Sequence, residues 1–111
     1  MSQAIFVHRG ESVDYSSVST VNAGAVVVQG DLVGVAIRTI PANMPGSLMV
    51  EGVFDFAKAT GAGTALAVGT IVYWDAANGR ATSVATGNKL LGKVVMAASD
   101  SDPRVRVRMS Q

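Results

Sequence analysis

The side chains best suited to chemistry lie near the two ends of the chain. His8 is the only histidine, and Ser12 and Asp14 follow it closely enough to suggest a Ser–His–Asp hydrolase. Any polar strand offers such a trio, and one histidine with scattered carboxylates is a poor acid–base set. The pattern favours an exposed or interface histidine, and we expect no catalytic residue.

The segment "SDSDP" places Asp100 and Asp102 two residues apart, as at the start of a calcium-binding loop. The glycine and the distal glutamate of such a loop are missing, so a turn with Asx-type hydrogen bonds before Pro103 is favoured. Since the chain has no cysteine and one histidine, sulfur or imidazole ligation is nearly excluded. We expect no metal site and no cofactor.

The segment "RVRVRM" alternates, so Arg104, Arg106 and Arg108 share one face of a predicted strand. Three interpretations are open. The arginines are solvated on a half-buried edge strand and deter edge pairing, or they pair with carboxylates of a protein partner. The third is a nucleic-acid contact, although no exposed aromatic residues are interleaved and the net charge is only +1.

Composition indicates what must position these residues. A chain of 111 residues with 49% hydrophobic, 15% charged and 12 glycine residues suits one domain and neither disorder nor a helical bundle. Short runs rich in β-branched residues, separated by turn residues, predict about eight or nine strands in an all-β barrel or sandwich. No apolar run approaches the ~20 residues of a membrane span. We expect the protein to be synthesised in a cytoplasm.

The stretch from Gly69 to Val84 predicts a β-hairpin whose turn ends in Asn78-Gly79. Its first strand is apolar on both faces and holds the only tryptophan, Trp74. One face is expected to enter the core, with Trp74 on it, and the other to lie under a loop or a sister subunit.

The N-terminal residues include the apolar run "AIFV", which lacks the features of a secretory signal. Such a run near a chain end is either a strand within the sheet or an arm that another chain covers. We expect residues 1–10 to form an N-terminal arm and residues 11–111 to form a single β domain. As an arm, this segment is predicted to add as a strand to an edge of a partner protein.

Five segments follow one another along the chain, namely "VVVQGDLVGVA", "VEGVFDFAKATGAG", "ALAVGTIVYWD", "ATGNKLLGKVV" and "RVRVRM". In this order they resemble a family of small tailed-phage proteins, the capsid cement or decoration proteins. The resemblance runs from about Phe6 to Met109. Its most specific parts are Gly69–Asp75, Gly87-Asn88 and Gly92.

The resemblance implies a β-clip or tulip-like fold, similar to the head decoration proteins of lambda-like phages. It implies attachment to the outside of the mature capsid, often as trimers, without catalysis or cofactor. We therefore expect a virion protein made in the bacterial cytoplasm that binds the major capsid protein as a homotrimer, with no nucleic acid, membrane or small-molecule substrate. The expected protein-interface residues are Ala4, Ile5, Phe6, Val7, His8, Arg104, Arg106 and Arg108.

Two other functions remain open from the sequence. One is a β-clip module, similar to SAF or antifreeze-like domains, that binds a small ligand or a carbohydrate; it would need a concave polar pocket. The other is a small hydrolase, which would need a convergent acid–base set.

Overall fold

Residues 3–111, which a computed structural model describes, form nine β-strands and no helix. This confirms the prediction of an all-β domain of eight or nine short strands. The strands are β1 (Ser12–Tyr15), β2 (Val26–Gln29), β3 (Leu32–Val35), β4 (Gly46–Met49), β5 (Gly52–Ala57), β6 (Ile71–Asp75), β7 (Arg80–Thr82), β8 (Lys89–Met96) and β9 (Arg104–Met109).

The strands form two antiparallel sheets. The four-stranded sheet has the order β1-β4-β3-β2, and the five-stranded sheet has the order β5-β9-β8-β6-β7. Strand β9 therefore lies inside its sheet, bonded to β5 on one side and to β8 on the other. The interpretation of β9 as an edge strand is wrong. Alternation of apolar and charged residues shows that one face of a strand is exposed to solvent, but it does not show whether the strand has a neighbour on both sides.

The main hydrophobic core is built from alternate residues of both sheets. Strand β9 contributes Val105, Val107 and Met109, all at most 2% exposed. The Phe56 ring lies 5.8 Å from the indole of Trp74, which is 7% exposed. Trp74 is thus a core residue, as favoured from the sequence.

A second, smaller core of Ala36, Ile40 and Leu48 lies on the other face of the four-stranded sheet. Residue Gly34 faces it, because a Cβ there would lie 2.8 Å from Cβ of Leu48. Its neighbour Val33 points into the main core. This sheet is therefore covered by apolar side chains on both faces.

The five-stranded sheet curls without closing into a barrel. Its outer strands, β5 and β7, come together at one parallel bridge between Lys58 and Ala81. Because β7 spans only Arg80–Thr82, it is too short to form a ladder along β5. The domain is not a closed barrel but a small β-sandwich-like structure, which is the second of the two architectures that the strand pattern predicts.

The side chain of Gln111 joins the two sheets beyond the end of β9. Its Oε1 accepts a hydrogen bond from the Val33 N–H at 2.7 Å, and its Nε2 donates to the Val33 carbonyl at 2.6 Å. The amide thus takes the place beside β3 that a neighbouring strand would occupy.

Residue Gly92 lies where the backbones of β8 and β9 are close together. A Cβ built there would lie 2.0 Å from the carbonyl oxygen of Arg108. The pairing of β8 with β6 shifts register beside it, so that Leu91 is the extra residue of a β-bulge. Only glycine allows the backbones of β8 and β9 to come this close.

We expect Gly92→Ala to destabilise the domain by about 2 kcal/mol or more, because the methyl group forces β8 away from β9. The measurement is urea unfolding monitored by Trp74 fluorescence. Gly10→Ala is the matched control, since a Cβ there meets nothing within 4 Å; its effect should stay within about 0.5 kcal/mol. Equal unfolding midpoints for the two variants would contradict this account of the glycine.

Candidate protein-binding surface

The residues first considered for hydrolysis do not form a catalytic set. His8 is exposed, and its Nδ1 contacts the carbonyl of the adjacent Arg9. Within residues 3–111 no hydrogen bond joins His8 to Ser12 or Asp14. The trio therefore carries none of the orienting contacts that nucleophilic catalysis uses.

The two aspartates of the "SDSDP" segment hold loops in place. Asp100 Oδ1 accepts hydrogen bonds from the N–H groups of Thr64 and Ala65, at 3.1 and 2.8 Å. Asp102 Oδ2 accepts one from the Ser99 N–H at 2.8 Å, and this bond is the main cause that lowers the pKa of Asp102. The predicted turn is present, but its hydrogen bonds are not those of an Asx turn. The carboxylate of Asp102 accepts from a residue earlier in the chain, and that of Asp100 accepts from a distant loop.

Lys58 is buried at the end of β5, a feature that the sequence pattern did not reveal. It is 7% exposed, and its Nζ donates to the carbonyls of Ala59 and Asp102 and to Oγ1 of Thr64, at 2.7, 3.1 and 3.3 Å. All three ammonium protons thus have acceptors. The side chain thus connects the loop that follows β5 to the loop that precedes β9, beside the β5–β7 bridge, and its role is structural.

No group of three His, Cys, Asp or Glu side chains in residues 3–111 is placed to hold a metal ion. That same part of the chain also contains no helix with the length and apolar character of a membrane span.

The outer face of the five-stranded sheet carries both cations and exposed apolar side chains. Arg104, Arg106 and Arg108 form a column on β9 and are all exposed, as the alternation predicted. Lys93 on β8 lies beside Arg108 in the register and is also exposed. These four cations therefore share one sheet face.

Acidic residues offset part of this charge. Arg106 forms a bidentate pair with Asp55 of β5, with Nε–Oδ1 and Nη2–Oδ2 distances of 2.9 and 3.2 Å. This hydrogen bonding lowers the pKa of Asp55 and raises the pKa of Arg106. Arg108 lies 4.0 Å from Glu51. Asp75 of β6 and its register partner Arg80 of β7 lie on the same face, so three carboxylates stand against five cations and the face stays positive.

Large apolar side chains are interspersed with these charges. Val53, Ile71, Leu90 and Met96 are 42–57% exposed on the same sheet face, and Tyr73 beside them is half-buried. In the hairpin strand β6, Val72 and Trp74 thus face the core while Ile71 and Tyr73 face outward. Apolar patches mixed with arginine and methionine are typical of protein–protein interfaces.

The N-terminal segment presents a second exposed apolar surface. Ile5, Phe6 and Val7 are 82–83% exposed, and Ala4 and His8 are exposed beside them. The segment lies outside the nine strands, the first of which begins at Ser12. Residues 1 and 2 of the predicted arm lie outside the described residues, and the division into arm and domain stays a prediction.

The comparison with protein families decides the class of this protein. The family model described as phage cement protein matches residues 7–109, nearly the whole chain. The chain belongs to the phage cement protein family. Searches of curated proteins and of solved structures gave no match.

Membership in this family identifies a structural protein of the phage capsid. It confirms the resemblance found from about Phe6 to Met109 in the sequence.

We expect Lys58→Met to destabilise the domain by about 1–3 kcal/mol, because the carbonyls of Ala59 and Asp102 lose a donor in a partly buried setting. Lys93→Met is the matched control, since Lys93 is exposed on the sheet face; it should change stability by less than about 0.5 kcal/mol. Thermal or urea unfolding measures both variants. A Lys58→Met protein as stable as the control would show that the three hydrogen bonds do not stabilise the domain.

Proposed function

We propose that this protein is a capsid cement protein that binds the outer surface of the phage head at seams between capsomers. The role is structural, with the major capsid protein as partner, and needs no reaction and no cofactor. Packaged DNA pushes outward on the shell. A protein bound across a seam resists that pressure, because opening the seam then breaks its contacts as well.

The observation that carries this proposal is the outer face of the five-stranded sheet. Its cations and its exposed apolar side chains suit a protein partner that carries carboxylates around an apolar centre. Charge complementarity would orient the subunit and speed its encounter with the shell, while burial of Ile71, Leu90 and Met96 would slow its release.

A homotrimer fits the same role. One subunit of this size offers about 800 Å² in a standard contact. Three linked subunits bind more tightly through effective concentration, without better individual contacts. The exposed segment Ala4–His8 is a second protein-binding element, since its apolar side chains are left in water by the isolated chain.

The direct test mixes the purified protein with mature heads of the same phage that lack it and images the particles by electron cryo-microscopy. We expect density on the outer surface between capsomers, together with release of DNA at a higher temperature than from undecorated heads. Heads that stay bare at saturating protein would contradict the proposal.

Charge reversal at the centre of the arginine column should weaken attachment. For Arg106→Glu we expect a roughly tenfold loss of affinity for heads at low salt, narrowing as ionic strength rises because salt screens the contact. Arg38→Glu makes the same charge change at an exposed position of the other sheet's connections and should have little effect. Equal occupancy of the two variants at every salt concentration would place the arginines in solvent.

Deleting residues 2–7 should abolish attachment to heads while leaving the domain folded, because β1 begins only at Ser12. Head binding is measured by co-sedimentation and folding by urea unfolding. Replacing Ile5, Phe6 and Val7 with serine keeps the chain length and should reproduce the loss. Decoration of heads by the shortened protein at normal occupancy would rule out the segment as a binding element.

A further inference from the structure

A cleft of about 410 Å³ opens between the two sheets and is lined mainly by apolar side chains. Val26 and Val35 line it from the four-stranded sheet, and Phe54, Phe56 and Trp74 line it from the five-stranded sheet. The three aromatic rings are tilted by 55–60° with centroids 5.8–5.9 Å apart. Aromatic pairs in such tilted contacts are stabilised beyond their buried area, so a further aromatic side chain in the cleft could gain the same kind of contact.

The cleft runs beside two strands that end their sheets. Strand β2 ends the four-stranded sheet and β5 ends the five-stranded sheet. The Lys58 N–H bonds to the Pro103 carbonyl across the β5–β9 pair, at 2.8 Å. In an antiparallel strand the backbone N–H and C=O groups of successive residues point alternately to its two sides. Those of Val53 and Asp55 therefore point away from β9, toward the open edge. An extended segment placed there would find both backbone partners and an apolar wall.

The N-terminal segment has the length and pattern that this cleft requires. Five extended residues, Ala4–His8, span about 16 Å, against about 20 Å for the six residues of β5. In an extended chain the side chain of Phe6 points to one side, and the side chains of Ile5 and Val7 point to the other. Their 82–83% exposure shows that the segment does not occupy the cleft of its own chain.

The exposed area is large enough for an interface between two copies of the chain. The accessible surface is 7014 Å², whereas a compact monomer of 11.4 kDa has about 5,800 Å². The radius of gyration is 15.2 Å, against about 13 Å for this length. The excess, on the order of 1,200 Å², exceeds the ~800 Å² that each partner contributes to a standard interface. Every copy carries one segment and one cleft, so head-to-tail exchange covers both and can close into a ring.

We propose that Ala4–His8 of one copy adds as a strand to β5 of the next copy, with Phe6 inserted beside Phe54 and Trp74. The sequence analysis predicts that the segment adds to an edge of a partner protein, and the structure offers such an edge on a second copy of the chain itself. This inference needs no capsid for its test, so its failure is distinct from failure of the cement function.

The test uses disulfide trapping, for which a chain without cysteine gives no background. A Phe6→Cys chain is mixed with a Val26→Cys chain under mild oxidation, so that a cross-link between the two positions joins two chains. We expect a disulfide-linked dimer on a non-reducing gel. Val18→Cys in place of Phe6→Cys is the control, because Val18 is 86% exposed and lies outside the segment; it should give at most a trace.

Two results would overturn the exchange. One is equal cross-linking by Phe6→Cys and Val18→Cys, which would indicate random collision. The other is a cross-link that forms only within a chain carrying both Phe6→Cys and Val26→Cys, which would mean that the segment folds back on its own cleft.

Sedimentation equilibrium gives a readout that does not depend on a substitution in the cleft. The unaltered chain should self-associate, and Phe6→Ala should weaken this association by at least tenfold. Val18→Ala should leave it unchanged. A chain that stays monomeric up to high micromolar concentration, or associates equally with and without Phe6, would refute the proposal.

Discussion

The alternation of arginine with apolar residues along β9 determines both which side chains fill the core and which charges face solvent. Val105, Val107 and Met109 fill the core, and Arg104 and its two partners in the column stand on the opposite face. A slip of one residue would put arginines into the core and valines into water. The close approach of β9 to Gly92 holds the register. The conditions that make the sheet fold are therefore the conditions that place its cations on one surface.

The open side of the five-stranded sheet has a similar double role. The sheet curls until Lys58 meets Ala81, and the buried ammonium group fastens the loops around that point. A longer β7 would have extended the bridge into a ladder and closed a barrel, which abolishes edges. Since β7 is short, β5 keeps an open edge beside an aromatic wall. The incomplete closure leaves a place where another strand can add.

Features that depend on local pattern were predictable, whereas those that depend on distant contacts were not. The alternation of β9, the burial of Trp74 and the hairpin turn follow from neighbouring residues, although only Gly79 of the Asn-Gly pair has positive φ. The position of β9 between β5 and β8 depends on pairing across about fifty residues. The burial of Lys58 depends likewise on loops that meet only in the folded chain, and its sequence context resembles any exposed lysine.

The two surfaces suit different demands on a cement protein. Exposed ion pairs, such as Arg106 with Asp55, are screened by salt and contribute orientation more than strength. An inserted aromatic side chain contributes little to steering, but its burial slows dissociation. If copies are joined through the N-terminal segment, the arginine faces of several copies act together on the shell. Individually weak charged contacts can then hold firmly, because no single one has to resist the outward load alone.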